Sequence, residues 1–144
     1  MMKTWVLVAD AYRARVFGVE RPVSPLSELR DLASPEARLH EGDLVSDKGG
    51  GDRNPSVGGH GLGDQNTHKQ ELADRFAQDV CAVLEAARVA NELSKLYVIA
   101  APAFLGLLRK HQSAMLKQLV VQEVDKSVAA QDPADIRKHL PEYL

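Results

Sequence analysis

The chain has 144 residues, of which 44% are hydrophobic and 26% charged, and its formal net charge is -2 at pH 7. This balance is typical of one globular domain and excludes a generally basic surface, so any contact with nucleic acid must be local. The longest apolar runs, residues 5–9 and 96–103, fall far short of the roughly 20 residues that span a bilayer. We therefore expect a single domain over residues 1–144 without a membrane span.

The cysteine content and the N-terminus both favour a cytoplasmic protein. Cys81 is the single cysteine, so it has no partner for an internal disulfide, which suits a reducing compartment. Its place in a helical pattern indicates a small buried side chain more than a reactive thiol. At the N-terminus, Asp10 and two arginines follow a short apolar run, which indicates a strand of the mature fold and not a signal peptide.

The first part of the chain is rich in β-branched and aromatic residues. Residues 4–9 and 14–19 are predicted strands separated by a polar break, and together they predict a β-hairpin. Alternation in the second strand predicts that one of its faces is mixed or partly exposed. Residues 26–32 predict an edge strand or third strand, and residues 35–40 a helical turn.

A glycine-rich stretch follows these strands. Seven of the ten glycines lie between Ser46 and Gln70, and the stretch has no hydrophobic periodicity. Ordering so many glycines costs backbone entropy, so the stretch is either a mobile arm or a loop shaped by what it binds. A loop of roughly 25 residues is uncommon inside a compact domain and is most often functional or disordered. We predict a long loop at about residues 46–66.

A helical pattern begins where the glycines end. Thr67 and Gln70 match a capping box, so a long helix is predicted to begin at Thr67 and to run to about Leu93. Apolar residues recur at spacings of three and four along one stripe, which predicts packing against a sheet. The residues of this stripe are Leu72, Phe76, Val80, Val83, Leu84 and Ala87.

The C-terminal part predicts alternating strands and helices. Residues 96–100 are almost entirely apolar, as expected of a strand buried on both faces. Residues 104–111 predict a short helix, residues 119–124 a strand, and residues 134–140 a final helix that Asp132 and Pro133 begin. A strand, helix, strand order favours a parallel crossover. The predicted class is therefore α/β, with a mixed sheet flanked by helices.

Three segments in this order resemble the bacterial host-attachment protein family. They are WVLVADAYRARVF at 5–17, ELA and FA at 71–73 and 76–77, and VIAAP with LGLLR at 98–102 and 105–109. That family is similar to the middle domain of archaeal and eukaryotic release factors and their ribosome-rescue relatives. The resemblance implies an RNase H-like α/β domain with a mixed five-stranded sheet, and a partner in RNA or the ribosome.

The glycine-rich stretch departs from the release-factor pattern. In release factors the corresponding loop carries Gly-Gly-Gln, which assists ester hydrolysis in the peptidyl-transferase centre. Here Asp52 follows one glycine run and His60 follows another, while Gln65 follows Asp64. We therefore expect a non-enzymatic RNA- or ribosome-binding module. The alternatives are a hydrolase acting on an RNA or peptidyl-tRNA ester, and a protein-interaction factor linked to cell attachment.

The glycine-rich stretch and the second strand supply the candidate binding residues. Glycines expose backbone N–H groups, and cationic and histidine side chains beside them suit phosphate or RNA; a flexible loop without a ligand is the alternative. Arg13 and Arg15 alternate on the second strand and point to the same face. Together with Arg109 and Lys110 of the later helix they would form a local basic patch; the alternative is that they lie on a solvated face. The candidate RNA- or anion-binding residues are Lys48, Gly49, Gly50, Gly51, Arg53, Gly58, Gly59, His60, Arg13 and Arg15.

Other chemistries have weaker patterns. His60, Asp64 and His68 have metal-binding side chains, but their four-residue spacings align only on a continuous helix, and the glycines between them argue against one. Asp10 follows the first strand, where an RNase H-like nuclease would hold Mg²⁺, but no carboxylate lies in residues 97–101. A hairpin-turn role for Asp10 is favoured. We expect no catalytic residue, metal ion or cofactor.

Overall fold

The computed structural model describes the backbone of residues 3–35 and 55–144 and the side chains of residues 3–35 and 67–144. The strands of this part are Thr4–Ala9 (β1), Arg13–Val19 (β2), Ser27–Ala33 (β3), Lys95–Ala100 (β4) and Val120–Asp125 (β5). Its helices are Pro55–Val89 (α1), Pro102–His111 (α2), Ala114–Leu119 (α3) and Pro133–Arg137 (α4). Within these ranges, no helix is both long and apolar enough to cross a membrane.

The strands form one mixed sheet in the order β3-β2-β1-β4-β5. The pairs β1–β2 and β2–β3 are antiparallel, whereas β1–β4 and β4–β5 are parallel. The predicted hairpin closes at Asp10, whose Oδ1 accepts the N–H groups of Tyr12 at 2.8 Å and Arg13 at 2.9 Å. This is the self-contained turn that a short acidic side chain favours, and the mixed five-stranded α/β sheet is confirmed.

The central strands are buried because each of their faces meets a different core. Side chains of β1 alternate, so Trp5 and Leu7 pack with α1 and α2, whereas Val6 and Val8 pack with the C-terminal segment. The predicted strand at 96–100 is likewise buried, which explains its continuous apolar sequence. The partly exposed face predicted for the second strand is wrong, because residues 14–19 are all buried.

The long helix begins earlier than predicted. α1 starts at Pro55 and passes through Thr67 without interruption, so the predicted loop is wrong for residues 55–66. Proline suits the first helical position, where its missing N–H would have no helical partner. Thr67 and Gln70 match a local capping pattern, but that pattern alone does not distinguish a helix start from a helix interior.

The end of α1 is also set by a specific motif. Asn91 has φ 63°, and the N–H of Glu92 donates to the carbonyl of Ala87 at 2.8 Å. The N–H of Asn91 donates to the carbonyl of Arg88 at 3.0 Å. This pair of bonds is the Schellman motif, in which a left-handed residue ends the helix. The helix therefore stops at Val89, four residues before the predicted Leu93.

A short helix between α2 and β5 was not predicted. Ser113 caps α3, because its Oγ accepts the N–H of Leu116 at 3.0 Å, and it donates to Glu85 Oε1 at 3.0 Å. Arg88, followed by Ser113, lowers the pKa of Glu85 to about 2. Glu85 therefore links α1 to the start of α3.

Two further predictions differ from the structure or lie outside it. The final helix ends at Arg137 and not at residue 140, because the N–H groups of Lys138, His139 and Leu140 donate to carbonyls three residues back and Pro141 has no N–H to continue the helix. The Arg137 guanidinium donates to the carbonyls of Pro141 at 2.6 Å and Glu142 at 2.8 Å. The helical turn predicted at 35–40 falls outside the described residues beyond Pro35.

Candidate functional site

A cleft of about 670 Å³ lies where β1 and β4 end. It is bounded by the β1–β2 turn, by α1 and by α2, and we call it the α1–α2 cleft. In open α/β sheets, ligands bind outside the carboxyl ends of the parallel strands, which is where this cleft lies. Its lining residues are Ala11, Tyr12, Thr67, Lys69, Gln70, Glu71, Ala73, Asp74, Ala103, Leu107 and Lys110.

The two walls of the α1–α2 cleft are joined by Asp74. Its Oδ1 lies 2.8 Å from His111 Nε2 and 3.1 Å from Lys110 Nζ, so one carboxylate of α1 holds two side chains of α2. The hydrogen bond with His111, followed by that from Lys110, lowers the pKa of Asp74 below its ordinary value. Lys69 is exposed on the same helix and has no ion pair with any described residue.

The Asp74→Asn variant is expected to unfold at a lower temperature than wild type at neutral pH and to match it in acid. A carboxyl whose pKa is lower in the folded state stabilises the fold above its unfolded-state pKa of about 4, and this contribution disappears as the pH falls through the folded-state value. Thermal unfolding at pH 7 and at about pH 2.5 measures the difference. Asp79→Asn on the same helix is the control, and a wild-type advantage unchanged by pH would contradict the assignment.

Arg13 and Arg15 have different environments despite their alternation on β2. Arg13 is partly exposed and forms a two-point ion pair with Asp31 of β3, which lowers the pKa of Asp31. The side chain of Arg15 is only 8% exposed and lies over the ring of Phe17, 5.0 Å from its centroid. The expectation of a surface position therefore holds for Arg13 and not for Arg15.

All three nitrogens of the Arg15 guanidinium donate hydrogen bonds within the fold. Its guanidinium binds both carboxylate oxygens of Glu28, at 3.0 and 3.2 Å, and the carbonyls of Ala129 at 3.0 Å and Gln131 at 2.7 Å. These contacts lie on the sheet face that the C-terminal segment covers, whereas α2 packs on the opposite face. A joint basic patch of Arg15 with Arg109 and Lys110 is therefore not formed.

Most of the predicted contact residues lie in the glycine-rich stretch. Lys48, Gly49, Gly50, Gly51 and Arg53 lie outside the described residues. The others, Gly58, Gly59 and His60, lie within the backbone of α1, ahead of its described side chains.

The continuity of α1 removes the sequence-based argument against a metal site at His60, Asp64 and His68, which was that glycines break the helix between them. His60, Asp64 and His68 all lie on an uninterrupted helix, so the expectation that glycines would break the helix between them is wrong. Among the residues whose side chains are described, no group of three or more metal-binding side chains is present. Burial raises the pKa of the Cys81 thiol to about 11, which suits a buried hydrophobic role.

Sequence patterns alone do not reveal most of the α1–α2 cleft. The capping pattern assigns Lys69 and Gln70 to a helix start, and Asp74 lies off the apolar stripe predicted for that helix. What the sequence does indicate is the position of some cleft residues relative to the strands. Tyr12 lies in the turn after β1, and Ala103 lies at the start of the helix after β4. The carboxyl ends of adjacent parallel strands mark the usual ligand position, but the parallel pairing of β1 with β4 joins residues about 90 positions apart.

Comparisons with known proteins give a family and a fold. A family model described as "Protein required for attachment to host cells" matches residues 5–140. No curated protein matches the chain. A solved structure titled "Crystal structure of archaeal translation termination factor, aRF1" is similar, with a TM-score of 0.52 and 14% sequence identity, over 96% of this chain and 35% of that chain. The chain thus spans about a third of that protein, and the similarity is one of fold.

Proposed function

The chain belongs to the family of proteins required for attachment to host cells, and from this premise we propose that it is a non-enzymatic, translation-associated module that binds RNA, with the ribosome as its partner. The release-factor-like fold supports a link with translation. The α1–α2 cleft is the observation that carries the proposal, because it lies at the ligand-binding end of the parallel strands and its α1 wall continues from the glycine-rich stretch.

The side chains of the α1–α2 cleft suit an RNA strand. Lys69 and Lys110 lie on opposite walls, and cationic side chains are the usual contacts of RNA phosphates. Lys69 has no ion pair with a described residue, whereas Lys110 is 63% exposed and is paired with Asp74, which a phosphate would replace as its partner. Tyr12 of the β1–β2 turn lines the same cleft, and an aromatic ring beside cationic side chains is a stacking surface for a base. Contacts of these kinds favour single-stranded RNA with little sequence preference.

The glycine-rich stretch would extend this surface. Lys48 and Arg53 add charge, and the glycines among them have backbone N–H groups that side chains do not shield. Arg13 is retained as a peripheral contact because it is partly exposed, although its pairing with Asp31 reduces the charge it presents. Arg15 is left out, because its guanidinium is committed to contacts inside the fold.

The Lys69→Gln/Lys110→Gln variant is expected to bind a labelled single-stranded RNA more weakly than wild type. The slope of log K against log salt should become shallower by about 0.7 for each phosphate that the variant leaves unneutralised. Fluorescence anisotropy titrations at several salt concentrations measure both changes. Lys138→Gln is the matched control, because Lys138 is 78% exposed, lies beyond α4 and does not line the cleft.

Three outcomes would decide against the proposal. Binding that does not depend on salt would contradict an electrostatic RNA contact. Equally weakened binding in the cleft variant and in Lys138→Gln would place the contact elsewhere. Turnover of peptidyl-tRNA that is abolished by changes at Arg53 and His60 would instead favour the hydrolase alternative.

A further inference from the structure

The strand β5 is an edge of the sheet in the described part of the chain. It pairs with β4 on one side only, so half of its backbone N–H and C=O groups point away from the sheet. Its register with β4 skips Val121, since Leu96 pairs with Val120 and Tyr97 with Gln122. Val121 is 54% exposed at this bulge. A free strand edge with an exposed apolar residue is a template for a further strand.

A second cleft, of about 470 Å³, opens beside this strand. It is lined by Val121 and Glu123 of β5, Lys117 of α3, and Arg109 and Gln112 at the end of α2, and we call it the β5 cleft. It is distinct from the α1–α2 cleft, with which it shares no lining residue.

Gln112 in the β5 cleft has an unpaired donor. The residue is 7% exposed, and its side-chain Nε2 is buried without a hydrogen-bond partner. A buried donor without an acceptor costs free energy, so such groups in native proteins require an explanation. An acceptor atom brought into the cleft by a ligand would remove this cost once the amide turns towards it.

The charges around Gln112 indicate the sign of that ligand. Arg109 donates to Glu123 Oε1 and is neutralised by it. Lys117 is exposed and has no ion pair with a described residue, so the cation that remains in the β5 cleft is its ammonium group. A carboxylate satisfies both requirements, because it is an acceptor for the amide and a counter-charge for the lysine.

The opposite edge of the sheet shares the apolar bulge but not the cleft. The register of β3 with β2 skips Leu29, which is 38% exposed. β3 carries three exposed charged side chains, Glu28, Arg30 and Asp31, whereas β5 carries Glu123, which Arg109 neutralises, and Asp125. Charged side chains on an edge strand oppose the addition of another strand, so β3 is the better protected edge. The combination of an exposed apolar bulge and a cleft with an unpaired cation belongs to the β5 edge.

We propose that the β5 edge binds an extended acidic peptide of a protein partner, which adds as a strand beside β5 and places a glutamate or aspartate carboxylate in the β5 cleft. Backbone pairing would supply most of the affinity, and the carboxylate would supply the specificity. Lys117 and Gln112 are the residues that select the acidic side chain.

The test uses a labelled peptide that alternates valine with glutamate and threonine, and a matched peptide with glutamine in place of glutamate. The glutamate peptide is expected to bind about two- to fivefold more tightly, as for an exposed charge pair. Amide chemical shifts should change along β5, at Val121 and Glu123. N-methylation of the peptide on its pairing edge is expected to abolish binding, because it removes the strand hydrogen bonds.

Two variants test which residues cause the preference for the glutamate peptide over the glutamine peptide. Lys117→Gln should remove the preference for glutamate, whereas the exposed control Lys138→Gln should retain it. Gln112→Met should weaken binding of the glutamate peptide without lowering the unfolding temperature, because it deletes a donor that has no partner. A lower unfolding temperature with unchanged binding would mean that Gln112 has only a structural role.

Other results would overturn the proposal. They are the absence of peptide binding, binding that survives N-methylation, and displacement of the peptide by inorganic phosphate bound at the β5 cleft. The last result would identify a small-anion site. Lys117→Gln is expected to leave RNA binding unchanged, so failure of this inference is separable from failure of the proposed RNA contact.

Discussion

Replacing Phe104 by alanine is expected to lower the free energy of unfolding by about 3–5 kcal/mol, the cost of removing a large buried aromatic side chain. Phe104 of α2 is 2% exposed, and its ring packs against Phe76 of α1 with centroids 5.8 Å apart and planes tilted by 35°. This contact holds together the two helices that form the α1–α2 cleft. Chemical denaturation followed by circular dichroism measures the decrease, which is a large share of the roughly 5–15 kcal/mol typical of a domain.

The Phe104→Leu variant is the control for this prediction. Leucine keeps an apolar side chain in the core and is expected to cost less than alanine, because it leaves a smaller cavity. The Phe104→Ala protein should also bind RNA more weakly where it remains folded, since α2 is free to shift relative to α1. A decrease below about 1 kcal/mol would show that the aromatic pair is not a core contact.

Replacing Arg15 by methionine is expected to lower the free energy of unfolding by about 2–4 kcal/mol, because it leaves buried groups without their partner. The variant keeps the aliphatic stem but deletes every contact of the guanidinium with Glu28, Ala129 and Gln131. These contacts join β2 to the segment that covers the second face of the sheet. Equilibrium denaturation measures the change.

Arg15→Lys separates charge from geometry at this position. Lysine keeps the positive charge, but it lacks the planar fork that binds a carboxylate and two carbonyls together, so we expect much of the destabilisation to remain. RNA affinity of the folded Arg15→Lys protein should equal that of wild type. If it falls while stability is unchanged, Arg15 is a contact residue and its assignment as a structural group is wrong.

The sequence predicts the sheet well because its strongest signals are local. The apolar runs that form β1 and β4 are continuous, since those strands are buried on both faces, and such runs are recognisable without knowing their neighbours. The turn at Asp10 is also local, as its carboxylate binds backbone groups two and three residues away. Patterns of this kind need no information about tertiary contacts.

The errors arise where distant residues decide the structure. Alternation on β2 predicts a surface position for Arg15, whereas its partners Ala129 and Gln131 lie more than 100 positions away in the sequence. The six residues of α3 form only a weak helical pattern, and its cap at Ser113 is stabilised by Glu85 of another helix. Similarly, the α1–α2 cleft depends on the pairing of β1 with β4 and on the Asp74–His111 contact.

Co-sedimentation with ribosomes tests the central claim of translation-associated binding most directly. Wild-type protein is expected to pellet with ribosomes at low salt and to be released as salt is raised, because phosphate contacts weaken with ionic strength. The Lys69→Gln/Lys110→Gln variant should remain largely in the supernatant, whereas Lys138→Gln should behave as wild type. A wild-type protein that fails to pellet at any salt concentration, or a cleft variant that pellets as wild type does, would contradict the account.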